Sequence, residues 1–216
     1  MSPITPAITR WHFVRHAPVI GATSLLYKSN DEPADVGDRR AFDGLAGLLP
    51  DDAMWVTSDL QRAVQTADAM AAAGLTAADR STDARLREQD FGDWHGQDLD
   101  SLWRASAPFG RHKFWMTTAA AKPPGGESFH DVIDRVTAAV DQLTDRHAGR
   151  SIVAVCHGGT IRAALARALG LDADVALSIS VENLSTTRLD HMAGDGRGGD
   201  WRLVYVNLRP AGAPGR

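Results

Sequence analysis

Histidine and arginine side chains follow two apolar segments of the sequence, at the points where predicted strands end. Arg15 and His16 come after the apolar residues 11–14, and His157 follows a second apolar segment and immediately precedes Gly158. In an open α/β sheet, ligands bind at the carboxyl ends of the strands. Guanidinium and imidazole groups there suit an anion, above all a phosphate. Backbone N–H groups at a glycine-rich helix start would add to such a site.

Two further charged residues fit the same pattern. Arg62 lies in the first turn of the helix predicted after the second strand, and Glu88 follows the third predicted strand. Taken alone, each of these residues has an ordinary explanation as a strand end, a helix cap or a solvated surface residue. Their common position just past a strand favours one shared phosphate site.

Hydrophobic periodicity predicts strands that alternate with helices along most of the chain. We predict strands near residues 11–14, 53–57, 81–86, 151–156, 185–189 and 201–207, and helices at 39–49, 59–73, 128–147 and 160–169. This alternation predicts an α/β fold, a three-layer α/β/α sandwich with a mostly parallel six-stranded sheet.

The segment of about residues 93–126 interrupts this alternation with prolines, glycines and tryptophans. We interpret it as a lid over the site, with short helices at 98–105 and 114–120. The prediction is one domain over residues 1–216, with this lid and a disordered tail at 209–216.

Composition excludes several classes of function. The 216 residues suffice for one large domain, and 44% of them are hydrophobic. A net charge of −4 gives no general basis for binding nucleic acid or an anionic membrane. The chain has a single cysteine, Cys156, and lacks an evident signal peptide or an apolar run of membrane-spanning length. We therefore expect a cytoplasmic protein that binds a small molecule; a homodimer is left open.

Five short motifs occur between about residues 11 and 170, and each is weak alone. They are, in order, Val14-Arg15-His16, Ser58-Asp59-Leu60-Gln61-Arg62-Ala63-Val64-Gln65-Thr66-Ala67, Leu86-Arg87-Glu88-Gln89-Asp90-Phe91-Gly92-Asp93-Trp94, Gly125-Gly126-Glu127-Ser128 and Val155-Cys156-His157-Gly158-Gly159. In this order and spacing the chain resembles the histidine phosphatase superfamily, the phosphoglycerate mutase-like proteins.

The resemblance implies a metal-independent phosphomonoesterase without a cofactor. His16 would attack phosphorus and form a phosphohistidine. The resemblance assigns the phosphoryl group to Arg15, Arg62 and His157, with Gly158 beside them. Glu88 would protonate the leaving alkoxide and then deprotonate the attacking water.

The sequence differs from the motifs that are commoner in the family at two positions. Ala17 replaces the glycine of Arg-His-Gly, and His95 replaces the glutamate of Trp-Glu-Gly. Mutases of the family usually carry an Arg-Arg pair before Gly-Glu-Ser, whereas the cations here are scattered as Arg104, Arg111, Lys113 and Lys122. The absence of this pair favours a phosphatase over a mutase. The motif Phe-Gly-Asp-Trp is similar to that of α-ribazole phosphatase-like members, so α-ribazole phosphate is one candidate substrate, and a sugar phosphate is another.

Three alternatives remain open at this point. A phosphoglycerate mutase-type phosphotransferase and a non-catalytic phosphate-binding module would share the fold. Cys156 and Arg162 also match the Cys-x5-Arg loop of cysteine-dependent phosphatases, although that leaves the other site candidates unexplained. The lid aromatics either select the leaving group or form the core of the lid, and we favour the lid core; they are Trp103, Phe109, Phe114 and Trp115.

Overall fold

The computed structural model describes residues 7–21 and 29–211. In this part of the chain the strands are β1 (Thr9–Arg15), β2 (Ala53–Thr57), β3 (Ala77–Thr82), β4 (Ser151–Cys156), β5 (Thr186–His191) and β6 (Trp201–Leu208). The helices are α1 (Arg39–Ala46), α2 (Gln61–Ala72), α3 (Leu99–Ser106), α4 (Phe129–Arg146), α5 (Gly158–Leu169) and α6 (Ala173–Leu177).

The described strands form one six-stranded sheet in the order β3-β2-β4-β1-β5-β6. β1, β2, β3 and β4 pair in parallel, and β5 is antiparallel to both of its neighbours. The prediction of a mostly parallel six-stranded sheet flanked by helices is therefore confirmed. The carboxyl ends of β1 and β4 lie side by side, because their register pairs Arg15 with Cys156.

Buried side chains cover both faces of the central strands, as expected for parallel strands between helices. Trp11 and Phe13 contribute to the core on the α4 and α5 side, whereas Val14 contributes to the core on the α1 and α2 side. The Trp11 indole N–H donates to Oγ1 of Thr144 at 2.9 Å, so this buried donor is satisfied. The strand that carries the site residues is thus held from both sides.

The predicted third strand at 81–86 was wrong in its position. β3 covers Ala77–Thr82, every residue of which is exposed, and a 3₁₀ turn at Ala84–Leu86 follows it. Hydrophobic patterning does not detect a polar strand at a sheet edge, because such a strand buries no side chains.

The predicted helix at 114–120 was also wrong. The backbone N–H of Ala119 donates to Oδ1 of Asp174 at 2.6 Å, and the segment runs as bends and turns. The acceptor, Asp174, belongs to α6, a five-residue helix that the periodicity did not predict. The predicted helix at 98–105 matches α3 closely.

Part of the predicted tail, residues 212–216, lies outside the described residues. In the described residues no helix is long and apolar enough to cross a membrane.

Candidate active site

His16 and His157 meet at the carboxyl ends of the paired strands β1 and β4. The backbone N–H of His16 donates to the carbonyl of Cys156 at 2.9 Å, which continues the ladder by one residue. The two imidazole rings are 5.1 Å apart between centroids. The parallel register therefore brings together two residues that are 141 positions apart in the sequence.

The orientation of the His16 ring is fixed by a hydrogen bond to its neighbour. Nδ1 lies 2.6 Å from the carbonyl oxygen of Ala17, which can only accept, so Nδ1 carries the proton. Nε2 therefore keeps its lone pair. Burial lowers the pKa of His16 well below its ordinary value, and the charges of Arg15 and Arg62 lower it further. The ring is thus a neutral imidazole with one nucleophilic nitrogen.

Hydrogen bonds also hold the backbone around His16. The N–H of Ala17 donates to Oγ1 of Thr66 at 2.9 Å, and this hydroxyl donates to the carbonyl of Arg62 at 2.6 Å. The side-chain amide of Asn183 donates to the His16 carbonyl at 2.9 Å. The segment after β1 is therefore tied both to α2 and to the chain before β5.

Arg15 and Arg62 bring positive charge to this end of the sheet from two elements. Arg62 is 1% exposed in the first turn of α2, and its Nη1 donates to the Asn30 carbonyl at 2.6 Å. Arg15 ends β1, and its Nη1 donates to the Val181 carbonyl at 2.6 Å. Both acceptors are neutral backbone carbonyls, so neither of these two hydrogen bonds neutralises the positive charge of its guanidinium group.

His157 is buried, and the surroundings of its ring differ from those of His16. Neither ring nitrogen has a hydrogen-bond partner within residues 7–21 and 29–211. Burial lowers the pKa of His157 well below its ordinary value, and the charge of Arg62 contributes. Unsatisfied buried polar atoms are rare in folded proteins and call for an explanation. An anion bound beside His16 would supply the missing acceptor.

Glu88 reaches the same place from a segment without regular structure. The Gly159 N–H, in the first turn of α5, donates to Oε1 of Glu88 at 3.0 Å. A Cβ added at Gly159 would collide with that oxygen, so the close approach requires glycine. Gly158, the first residue of α5, is likewise buried at the helix N-terminus, where the dipole favours an anion.

Cys156 is poorly suited to act as a nucleophile. The residue is fully buried within β4, and burial raises the pKa of its thiol far above the ordinary value. A reactive cysteine needs the opposite shift and access to substrate. The geometry therefore favours His16 over Cys156.

The profile of the histidine phosphatase superfamily (branch 1) matches residues 13–208, a span that contains all the site residues described above. The chain belongs to the histidine phosphatase superfamily. The chain is 28% identical over 193 residues to the "Probable phosphoglycerate mutase GpmB" of Salmonella paratyphi B, a match that covers 89% of this chain and 85% of that relative.

Solved structures show the same fold in other histidine phosphatases. The mycobacterial glucosyl-3-phosphoglycerate phosphatase Rv2419c is 27% identical with a TM-score of 0.73, covering 93% of this chain and 99% of that chain. An Escherichia coli protein named as a candidate alpha-ribazole-5'-P phosphatase has a TM-score of 0.74. That match is 21% identical and covers 95% of this chain and 99% of the other, so the likeness concerns the fold.

Sequence reasoning missed an arginine that holds the Glu88 segment of this histidine phosphatase. Arg135 on α4 donates through Nε and Nη2 to both carboxylate oxygens of Glu127, each at 2.8 Å. Its Nη1 donates to the carbonyls of Arg85 and Arg87, and its Nη2 donates to that of Glu88. All five N–H groups of the guanidinium are therefore used. The Gly-Gly-Glu-Ser motif drew attention to Glu127, but no local signal identified its partner.

The lid also differs from the sequence interpretation. Its buried cluster consists of Phe91, Trp94, Leu102, Met116 and Ala121. Trp103, Phe109 and Phe114 are exposed, so they do not form the lid core that we favoured. Trp115 is partly buried and packs against this cluster. Helical spacing could not place Phe114 and Trp115, because the chain from 110 to 121 has no helix.

Proposed function

We propose that this histidine phosphatase hydrolyses a small phosphorylated metabolite through a phosphohistidine on His16, without a metal ion or a cofactor. The observation that carries the proposal is the neutral His16 ring, whose Nδ1–H donates to the Ala17 carbonyl, so that Nε2 is the unprotonated nitrogen. Two arginines surround this ring with positive charge. Fixed cations in a buried site stabilise the phosphoryl group in the transition state.

The first step transfers the phosphoryl group to the enzyme. Nε2 of His16 forms a bond to phosphorus as the bond from phosphorus to the ester oxygen breaks. Arg15, Arg62 and the ring of His157 hold the phosphoryl oxygens. Glu88 gives its proton to the departing oxygen, so an alcohol leaves.

The second step returns the enzyme to its starting state. Glu88, now a carboxylate, takes a proton from a water molecule, and the water oxygen attacks phosphorus. The bond from Nε2 to phosphorus breaks, inorganic phosphate forms, and Glu88 is again protonated. The Gly159 N–H supports the carboxyl group in both steps, because it fixes the distance between Glu88 and the helix that begins beside His157.

Water is the acceptor that the lid composition favours. The cations of residues 99–124 are scattered and form no Arg-Arg pair to hold a second phosphate. The α-ribazole phosphate and sugar phosphate suggested by the sequence remain candidate substrates. The names of the relatives add phosphoglycerates and their glucosyl derivatives as candidates. A second candidate function, transfer of the phosphoryl group to another alcohol, is favoured by the mutase name of the relative at 28% identity.

Turnover of a phosphomonoester panel tests the proposal. The panel contains an aryl phosphate, 3-phosphoglycerate, sugar phosphates and α-ribazole phosphate, each assayed with chelator present. We expect the wild type and Cys156→Ser to release phosphate, and His16→Ala to lose about 10³-fold or more of the rate. Acid-labile labelling of the wild type by ³²P-labelled substrate would identify the phosphohistidine. Loss of activity in Cys156→Ser with retention in His16→Ala would contradict the mechanism.

A further inference from the structure

Arg162 is a buried cation beside the site that the mechanism above does not use. It lies one turn beyond the N-terminus of α5 and is 8% exposed. Its Nε donates to the Ile179 carbonyl at 2.8 Å, and its guanidinium stacks on the ring of Trp115, 4.6 Å from the centroid. Its two terminal nitrogens have no hydrogen-bond acceptor in residues 7–21 and 29–211.

The free end of Arg162 points toward the phosphoryl site. Nη1 of Arg162 lies 3.4 Å from the position that a Gly158 Cβ would occupy, and Nε of Arg15 lies 3.7 Å from the same point. Both arginines donate to carbonyls of one segment, at Ile179 and Val181. Two guanidinium groups are therefore held close together at the start of α5.

The environment of Arg162 is unfavourable for a positive charge in the free enzyme. Burial lowers the pKa of Arg162 to about 10, and the charge of Arg15 also lowers it, whereas Glu88 acts in the opposite direction. The Glu88 carboxyl group is itself held by backbone N–H groups of Gln89 and Gly159. A buried cation without a hydrogen-bonded anion is costly, and a bound anion would remove that cost.

We propose that Arg162 binds a carboxylate on the leaving alcohol of the substrate and thereby selects phosphorylated acids over neutral phosphomonoesters. The proposal rests on the proposed function, because Glu88 marks the side of the site on which the alcohol leaves and Arg162 lies on that side. The two free terminal nitrogens form a planar fork that matches a carboxylate. Stacking on Trp115 keeps the fork in one plane, and Trp115 belongs to the lid, so the lid would close over this subsite.

The test compares 3-phosphoglycerate with glycerol 3-phosphate, which differ mainly in the carboxylate. We expect the wild type to prefer 3-phosphoglycerate. Arg162→Met should lower kcat/KM for 3-phosphoglycerate about 30-fold or more, mainly through KM, and change that for glycerol 3-phosphate less than about threefold. Arg162→Lys should recover part of the preference. The control is Arg167→Met on the same helix, whose partner Asp141 lies on the surface; it should behave as the wild type.

Equal losses on the two substrates would overturn the proposal, since Arg162 would then act through Glu88 or through the fold. A wild type without preference would overturn it as well. If the wild type releases phosphate from no compound of the panel, the proposed function fails, and equilibrium binding then decides the role of Arg162. By calorimetry, 3-phosphoglycerate should bind the wild type at least about tenfold more tightly than glycerol 3-phosphate, and Arg162→Met should remove the difference. Equal binding to the wild type would refute the carboxylate subsite.

Discussion

At His16 a single hydrogen bond decides which ring nitrogen carries the proton. The Ala17 carbonyl accepts a hydrogen bond from Nδ1–H, and burial together with two arginines keeps the ring neutral. An exposed histidine is half protonated near pH 6.5 and loses its free lone pair below that pH. The buried ring of His16 keeps the lone pair of Nε2 in that range, so the mechanism that we propose needs no separate base to deprotonate this ring.

We therefore expect His16 to titrate well below pH 6.5 in the free enzyme. Because the positive charge of Arg62 is one cause of the lowered pKa, Arg62→Met should raise the pKa of His16 toward its ordinary value. Imidazole NMR titration in phosphate-free buffer measures both values, with His16→Ala to assign the signal. A His16 signal that titrates at pH 6.5 or above in the wild type would show that the ring is hydrated and the described burial is wrong.

Gly159 offers a test of the Glu88 position. A Cβ at this residue would collide with Oε1 of Glu88, while the helical backbone itself accepts alanine. Gly159→Ala should lower kcat about 10²-fold, within the range expected for loss of general acid–base catalysis, and leave the free energy of unfolding unchanged or slightly raised.

The matched control for this change is Gly47→Ala, where the new Cβ meets only an ordinary contact 3.5 Å away at the Gly44 carbonyl. That variant should keep full activity. A fully active Gly159→Ala enzyme would mean that Glu88 can act from another position.

Among the elements, the segment that carries Glu88 depends on α4 for its shape. Residues 87–91 lie between a 3₁₀ turn and the lid, without a strand or helix of their own. Arg135 compensates by donating to the carbonyls of Arg85, Arg87 and Glu88 while it pairs with Glu127. The backbone N–H of Glu127 also donates to the carbonyl of Asp90 at 2.8 Å. Glu88 is thus positioned by a partly buried polar network in place of a sheet ladder.

Replacement of Arg135 should change both the stability of the fold and the catalytic rate, and separate measurements follow the two effects. We expect Arg135→Met to destabilise the fold by about 2 kcal/mol, because three backbone carbonyls and both carboxylate oxygens of Glu127 lose their donor. It should lower kcat more than it raises KM, and amide hydrogen exchange should quicken at residues 85–90. Arg146→Met, at the exposed end of the same helix, serves as the control and should have little effect. Unchanged exchange at 85–90 would show that the clamp is not needed.

The sequence predicted elements where hydrophobic burial determines them. β1, β2 and β4 were found because they are apolar on both faces, and α4 was found because Val132, Val136 and Val140 repeat at helical spacing. β3 was misplaced because it is polar and exposed, and the chain at 114–120 is held by a hydrogen bond from Ala119 to Asp174, 55 residues further along the chain.

At the site, too, sequence patterns predict only what local order along the chain determines. The strand ends bring His16 and His157 together, as predicted, because parallel register places the two ends side by side. The roles of Arg135 and Arg162 depend on tertiary contacts that span 47 and 17 residues, and no local pattern reports such contacts. Assignment of catalytic roles to the five predicted residues stays a prediction until turnover is measured.

For the molecule as a whole, buried histidines make stability depend on pH. His12 is buried on β1 with its pKa lowered to about 4, and His16 and His157 have pKa values well below the ordinary one. In the unfolded chain each would bind a proton near pH 6.5. The unfolded state therefore binds more protons than the folded state below that pH, and stability falls as pH falls.

Between pH 6.5 and 5 we expect protonation of His12 in the unfolded chain to lower the free energy of unfolding by about 2 kcal/mol, and His16 and His157 to lower it further in the same direction. Urea denaturation at pH 7.5, 6 and 5 measures the loss. His12→Gln should reduce the number of protons taken up on unfolding by about one. It should keep activity, because the charged groups near His12 are Arg188 and Asp190 and not those of the site. Asp131, with a pKa of about 2, acts only in a more acidic range. A stability that is flat from pH 7.5 to 5 would contradict the burial of these rings.

The paired strands β1 and β4 and the turns between residues 107 and 121 differ in whether they tolerate a change in chain length within the family. Insertion of one residue in β1 or β4 would shift Arg15 away from Cys156 and turn the site residues to the other face of the sheet. Insertions between residues 107 and 121, where the chain makes turns, would leave that register untouched. The residues to which we assign phosphoryl transfer therefore lie in a part of the fold that tolerates no change in length, whereas Trp115, which covers Arg162, lies in a part that can be lengthened, shortened or exchanged.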